Sequence, residues 1–102
     1  MRLSIEQRKT VHAIANALLG NGVQIKVFGS RLDDAARGGD LDLLLSGPQT
    51  VTLMQKAQLG MQLEASLGLP VDIVLLPADG PRTAFQRMAL AQAQDLLEMQ
   101  VQ

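Results

Sequence analysis

The sequence predicts a small α/β (α+β) domain in which a three-stranded mixed sheet is backed by helices, in the order α-β-α-β-α-β-α. Three short runs of aliphatic and β-branched residues alternate with stretches whose apolar residues recur at helical spacing. The 102 residues are enough for one core, so a single domain over residues 1–102 is expected. Hydrophobic residues make up 47% of the chain, which is typical of a folding sequence and not of a disordered one.

The N-terminal part predicts one helix and one strand. In the stretch SIEQ, Ser4 is followed three residues later by Gln7, a capping box that predicts the start of a helix. Glycines and an asparagine at 20–22 predict its end. Residues 23–28 alternate between apolar and mostly polar positions and predict the first strand, and a short helical turn is predicted over 31–36.

The rest of the chain predicts two further strands and two further helices. The second strand is predicted over 40–45 and the third over 70–76, with a helix over 50–67 between them. The predicted inner face of that helix comprises Val51, Met54, Ala57, Met61 and Ala65. A last helix is predicted after Pro81, and its shared face comprises Phe85, Met88, Ala89, Gln92, Leu96 and Met99.

Composition excludes several classes of function. The net charge of −1 argues against strong nucleic-acid binding, and the only aromatic residues, Phe28 and Phe85, are too few for a base-stacking platform. The absence of cysteine excludes disulfides and cysteine-bound zinc. No apolar signal core or membrane-length run is present, so we expect a cytoplasmic protein without a membrane association.

The second strand carries two aspartates, which are uncommon in strands. Asp40 and Asp42 are two residues apart, so they face the same side of the strand at roughly 6–7 Å, while the leucines between and after them face the core. Either this pair faces water at a strand start, or a cation compensates its charge. Asp72, within the third strand, favours the second alternative, because three carboxylates on neighbouring strands could hold two Mg²⁺ ions.

Gly29, Ser30 and Arg31 follow the first strand and could bind phosphate. A glycine at a strand end before a helical turn leaves backbone N–H groups free, the Ser30 hydroxyl can donate to a phosphate oxygen, and Arg31 can add a guanidinium. The alternative is an ordinary tight turn with a serine N-cap. The chain lacks the G-x-x-x-x-G-K-[S/T] pattern of P-loop proteins.

The stretches VFGSRLDDAARGGDLDLLL and GLPVDIVLL resemble the nucleotidyltransferase superfamily of the DNA polymerase beta type. Since the whole chain is little more than that catalytic core, it most resembles the minimal nucleotidyltransferases (MNT), which are commonly encoded beside a helical HEPN partner as a toxin–antitoxin pair. The resemblance implies that Asp40, Asp42 and Asp72 are catalytic and metal-binding residues. It also implies that Gly29, Ser30 and Arg31 bind the nucleotide.

The sequence departs from the family pattern at two places. Leu32-Asp33-Asp34 stands where minimal members often have a small residue, arginine and glycine, and two added acids would repel a triphosphate unless they face solvent. Gly39 stands where a serine is frequent, and Arg37 could replace the missing positive charge. These departures bear on nucleotide affinity and not on the fold.

The shared site also predicts the strand directions. The first two strands should run antiparallel, because the connection between Ser30 and Asp40 is short. The third should run parallel to the second through a right-handed crossover, because only then does Asp72 join Asp40 and Asp42.

By resemblance, the expected function is Mg²⁺-dependent transfer of AMP from ATP to a side-chain hydroxyl of a HEPN toxin partner, which would make this chain the antitoxin. Two alternatives stay open: a non-catalytic module that neutralises its partner by covering it, which Leu32-Asp33-Asp34 favours, and transfer to a small molecule. The chain has little sequence to bind a small-molecule acceptor.

Overall fold

The computed structural model describes residues 3–29, 40–47 and 50–96, which form three helices and a four-stranded sheet. The predicted α/β class and the order of its long helices and first three strands are confirmed, while the turn predicted over 31–36 lies outside the described residues. In chain order the elements are α1 (Ile5–Leu19), β1 (Gln24–Phe28), β2 (Leu41–Ser46), α2 (Leu53–Leu67), β3 (Val71–Leu75), α3 (Ala84–Gln92) and β4 (Gln94–Asp95).

The strands lie in the order β3-β2-β1-β4. As predicted, β1 is antiparallel to β2 and β2 is parallel to β3. The predicted number of strands was wrong, because β4 adds a fourth, antiparallel to β1 through Lys26 opposite Asp95 and Val27 opposite Gln94. A strand of two residues is too short to show any alternation in sequence.

The prediction that the last helix continues through Leu96 was also wrong. Helix α3 ends at Gln92 because Ala93 is extended, with φ −70° and ψ 145°. Ala89 packs on one face of the sheet and Leu96 in the core on the other, so an uninterrupted helix could not bury both. The chain instead passes along the edge of β1, where the Leu96 N–H donates to the Ile25 carbonyl at 3.1 Å.

The predicted inner face of α2 was wrong as well. Met54 and Met61 are 68% and 73% exposed, whereas Leu59 and Leu63 are fully buried. Leu59, Leu63 and the half-buried Leu67 recur every four residues and form a second apolar face, which is the one that packs on the sheet. Because α2 has two apolar faces, the spacing of its apolar residues does not predict which face is buried.

Helices cover both faces of the sheet. Helices α1 and α2 pack on one face, where they bury the odd-numbered side chains of β1, β2 and β3 in the main core. Helix α3 packs on the other face over a smaller cluster. The buried members of the smaller cluster are Phe28, Leu44 and Ala89.

Side chains cap the N-termini of the two long helices, α1 and α2, as the sequence predicts for α1. The Ser4 N–H donates to Gln7 Oε1 at 2.9 Å and the Gln7 N–H donates to Ser4 Oγ at 3.1 Å. Thr52 and Gln55 form the same reciprocal pair before α2. Within the described ranges, no helix has both the length and the apolar character needed to cross a membrane.

The corrected face of α2 yields a stability prediction. Leu59→Ala should lower the free energy of unfolding by about 2–5 kcal/mol, because it removes a fully buried side chain from the core. Met61→Ala is the matched control on the exposed side of the same helix and should change it by less than about 0.5 kcal/mol. Urea denaturation measures both, and equal losses would mean that the exposed face is packed in solution.

Candidate functional site

Two of the predicted site carboxylates lie side by side in the sheet. Asp42 of β2 and Asp72 of β3 are register partners in the parallel pair, so both side chains project from the same face, about 4.8 Å apart at the backbone. Phe28 of β1 is the register partner of Asp42 on its other side. The site therefore lies on the face of the sheet that α3 covers, at the end of β1.

Asp40 lies immediately before β2 and is exposed, as is Asp72, while Asp42 is half-buried. Burial raises the pKa of Asp42 above its ordinary value of 3.8, and the negative charges of Asp72 and Asp40 raise that pKa further. Both neighbouring carboxylates therefore repel ionised Asp42 electrostatically. These surroundings favour the neutral, protonated form of Asp42. A positive charge nearby would favour the ionised form instead.

Gly29 brings the end of β1 against Asp42. Its φ of +80° lies in the left-handed region, and a Cβ there would collide with Oδ2 of Asp42. Any other residue would thus be disfavoured twice, by backbone strain and by displacement of the carboxylate. This contact joins the predicted phosphate-binding turn to the predicted metal-binding pair.

The remaining predicted nucleotide-binding residues, Ser30 and Arg31, lie outside the described residues, as do the departures at 32–34, 37 and 39. Gly29 is the part of this turn that the structure places. Binding of phosphate by Ser30 and Arg31 stays a prediction.

The carboxylates fit a hard divalent cation in chemistry and charge. Their oxygens are the donors that Mg²⁺ prefers, and a cation would offset both the burial of Asp42 and the nearby charges of Asp72 and Asp40, which together raise the pKa of Asp42. In the part of the chain that the structure describes, no three acidic, histidine or cysteine side chains already form a metal cluster. Charges repel one another over longer distances than those at which carboxylates coordinate one ion. The raised pKa of Asp42 is therefore compatible with the lack of a close three-residue cluster among the described residues.

The sequence analysis missed two features beside these carboxylates. Phe85 of α3, predicted only to share a face with Ala89, is 53% exposed and meets Phe28 edge to face, with ring centroids 6.1 Å apart. On the other side, Asp72 lines an open groove between β3 and the exposed apolar side of α2. Phe85 could have been singled out as one of only two aromatic residues, but the groove depends on which face of α2 is buried.

Comparison with known proteins identifies relatives by structure. No family model and no curated protein matches the sequence. A Shewanella oneidensis complex of a tri-AMPylated HEPN toxin with an MNT antitoxin matches at 19% identity and TM-score 0.70, covering 89% of this chain and 69% of that chain. A toxin–antitoxin structure with AMP-PNP matches at 21% identity and TM-score 0.72, covering 91% and 74%. Both likenesses concern the fold.

A third structure, of a candidate minimal nucleotidyltransferase, is more similar in sequence. It matches at 31% identity with a TM-score of 0.65, and the match covers 90% of this chain and 95% of that one. This agreement extends over nearly the full length of both chains. The chain therefore belongs to the minimal nucleotidyltransferase family.

Proposed function

We propose that this chain is a Mg²⁺-dependent nucleotidyltransferase that transfers AMP from ATP to a side-chain hydroxyl of a HEPN-type toxin, and so acts as an antitoxin. The observation that carries the proposal is the in-register pair Asp42 and Asp72, with the backbone of Gly29 so near Asp42 that no side chain fits between them. A half-buried carboxylate beside two others destabilises the fold unless a ligand compensates it. Such an arrangement is typical of a functional site.

The site residues would have three roles in the transfer: metal binding, phosphate binding and proton acceptance. Asp40, Asp42 and Asp72 would hold two Mg²⁺ ions, which when bound supply the positive charge that binds the triphosphate and stabilises the departing pyrophosphate. Gly29, with Ser30 and Arg31, would hold the distal phosphates. The oxygen of the acceptor hydroxyl would bond to the α-phosphorus while the bond between that phosphorus and pyrophosphate breaks. Asp72 would accept the proton that the hydroxyl loses.

Two relatives support the choice of nucleotide and acceptor. One is a complex in which an MNT antitoxin accompanies a tri-AMPylated HEPN toxin, and another was solved with AMP-PNP. Addition of AMP to a protein requires an AMP donor such as ATP and a nucleophilic side chain, and the carboxylates could hold the metal ions that ATP needs.

A non-catalytic module that neutralises its partner by covering it is the second candidate. The exposed methionines of α2 favour it, because they offer a contact surface that catalysis does not need. The crowded carboxylates favour the enzyme, because a binding module gains nothing from their repulsion. Transfer to a small molecule is favoured by no feature of the described residues.

Transfer of label distinguishes the two candidates. The chain should be purified together with the product of the adjacent gene and incubated with Mg²⁺ and ATP labelled at the α-phosphate. We expect label on the partner, none when ATP is labelled at the γ-phosphate, and none with EDTA. A stable complex that acquires no label under any of these conditions would establish the binding module.

Asp42→Asn tests the role of charge at the site. Without metal the variant should melt at an equal or higher temperature than the wild type, because a repelled, half-buried charge is removed. It should lose most of the stabilisation that Mg²⁺-ATP gives the wild type, and label transfer should fall by orders of magnitude. Thermal melts with and without Mg²⁺-ATP measure the first two effects.

Asp79→Asn is the matched control. Asp79 is exposed and bonded to Arg82 Nη2 at 3.1 Å, away from the carboxylate pair, so its loss should leave the response to Mg²⁺-ATP unchanged. An Asp42→Asn variant that melts lower than the wild type in both conditions and still transfers label normally would exclude the metal-binding role.

The raised pKa of Asp42 also predicts a pH dependence. Between the ordinary value of 3.8 and the higher folded value, the folded state binds more protons than the unfolded state, so stability falls as pH rises through this window. In EDTA, the stability of Asp42→Asn relative to the wild type should therefore increase from about pH 4 upward and then level off. Urea denaturation midpoints of both proteins, measured at several pH values in EDTA, give this stability difference. A difference that decreases as pH rises would contradict the raised pKa.

A further inference from the structure

Strand β3 forms one edge of the sheet, and half of its backbone groups point away from the neighbouring strand. The Leu41 N–H donates to the Pro70 carbonyl and the Leu76 N–H donates to the Leu45 carbonyl. In a parallel pair this pattern directs the backbone of the even-numbered residues of β3 toward β2. Val71, Ile73 and Leu75 therefore direct their N–H and C=O groups to the open edge.

One of these edge donors already has a partner. The Val71 N–H donates to Oε2 of Glu64, a side chain of α2, at 2.9 Å. This bond shows that the edge groups can be satisfied from outside the sheet. The corresponding groups of Ile73 and Leu75 have no hydrogen-bond partner among the residues described.

The open edge continues into an apolar groove. Its wall on α2 includes Leu53 and Met61, which are 78% and 73% exposed, with Ala57 between them, and Ile73 of β3 lies opposite. Gly60 leaves the space beside Ile73 without a side chain, and a Cβ at this position would lie 3.8 Å from Cδ1 of Ile73, an ordinary van der Waals distance. An extended segment could therefore bury apolar side chains here while pairing with the strand.

Asp72 connects this groove to the proposed chemistry, since it both lines the groove and pairs with Asp42. A strand added beside β3 would lie about 4.8 Å away, and its side chains would alternate between the two faces of the sheet. The residue opposite Asp72 would project on the carboxylate face. Its two neighbours would project on the other face, toward Ala57 and Met61.

We propose that the acceptor protein binds as an extended segment that adds a strand to the edge of β3, with an acceptor hydroxyl flanked by an apolar residue on each side. The inference rests on the proposed function, since it assigns the acceptor of that reaction. Lys56 and Glu64 line the groove and lie eight residues apart on α2, about 12 Å along its axis. This length matches about four residues of an extended strand.

A pair of charge variants on α2 tests the groove. Met61→Glu places a carboxylate in the groove, whereas Gln62→Glu places the same charge on an exposed position of the same helix that does not line it. In the complex with its copurified acceptor, Met61→Glu should lower the rate of label transfer from α-labelled ATP at least about tenfold, because it buries a charge against an apolar segment. Gln62→Glu should stay within about twofold of the wild type. Both should keep the wild-type thermal shift with Mg²⁺-ATP.

Amide exchange gives a readout independent of activity. In the chain alone, the Ile73 and Leu75 amides should exchange fast and the Val74 amide, inside the ladder with β2, slowly. In the complex, Ile73 and Leu75 should become protected, and the mapped modified residue should have apolar neighbours on both sides. Unprotected Ile73, or equal labelling by the two charge variants, overturns the inference while the proposed function stands. A wild-type complex that never labels its partner overturns both.

Discussion

Parallel pairing of β2 with β3 determines both the core and the site. Leu41, Leu43 and Leu45 lie opposite Val71, Ile73 and Leu75 in this pair, and all but the half-buried Leu75 are buried on the face that α1 and α2 cover. The alternation of side chains then places Asp42 and Asp72 together on the opposite face. A slip of β3 by one residue would bring Asp72 into the main core, where an unpaired charge is strongly destabilising. The burial that stabilises the fold thus also holds the two carboxylates in register.

The contact between Gly29 and Asp42 extends this constraint to the end of β1. Antiparallel pairing of β1 with β2 puts Phe28 opposite Asp42, so the next residue turns directly beside the carboxylate. With no side chain at Gly29, the backbone and the carboxylate can be neighbours. A phosphate group held at this turn would consequently lie next to the acidic pair, which is where a nucleotidyltransferase needs its triphosphate.

Sequence patterns predicted those parts of the structure that depend on local rules. Alternation located β1, apolar runs bounded by glycine or proline located β2 and β3, and the capping box located the start of α1. The short connection from Ser30 to Asp40 predicted that β1 and β2 are antiparallel, and the requirement that Asp72 join Asp40 and Asp42 predicted that β3 is parallel to β2; the structure shows both directions. Patterns failed where tertiary contacts decide: α2 is apolar on two sides, and only packing selects Leu59 over Met61. The backbone bond from Leu96 to β1, which accompanies β4, likewise has no local signal.

The two edges of the sheet are unequal. The chain itself pairs with β1 through β4, while β3 carries only the Glu64 side chain on its outer edge among the described residues. An open edge beside the exposed Leu53 and Met61 is prone to associate with other strands until something binds there. A molecule made in excess of its binding partner would therefore be the more exposed to aggregation and degradation. The amount of folded protein in a cell would then follow the supply of its partner, so that one edge of one strand would couple the abundance of two proteins.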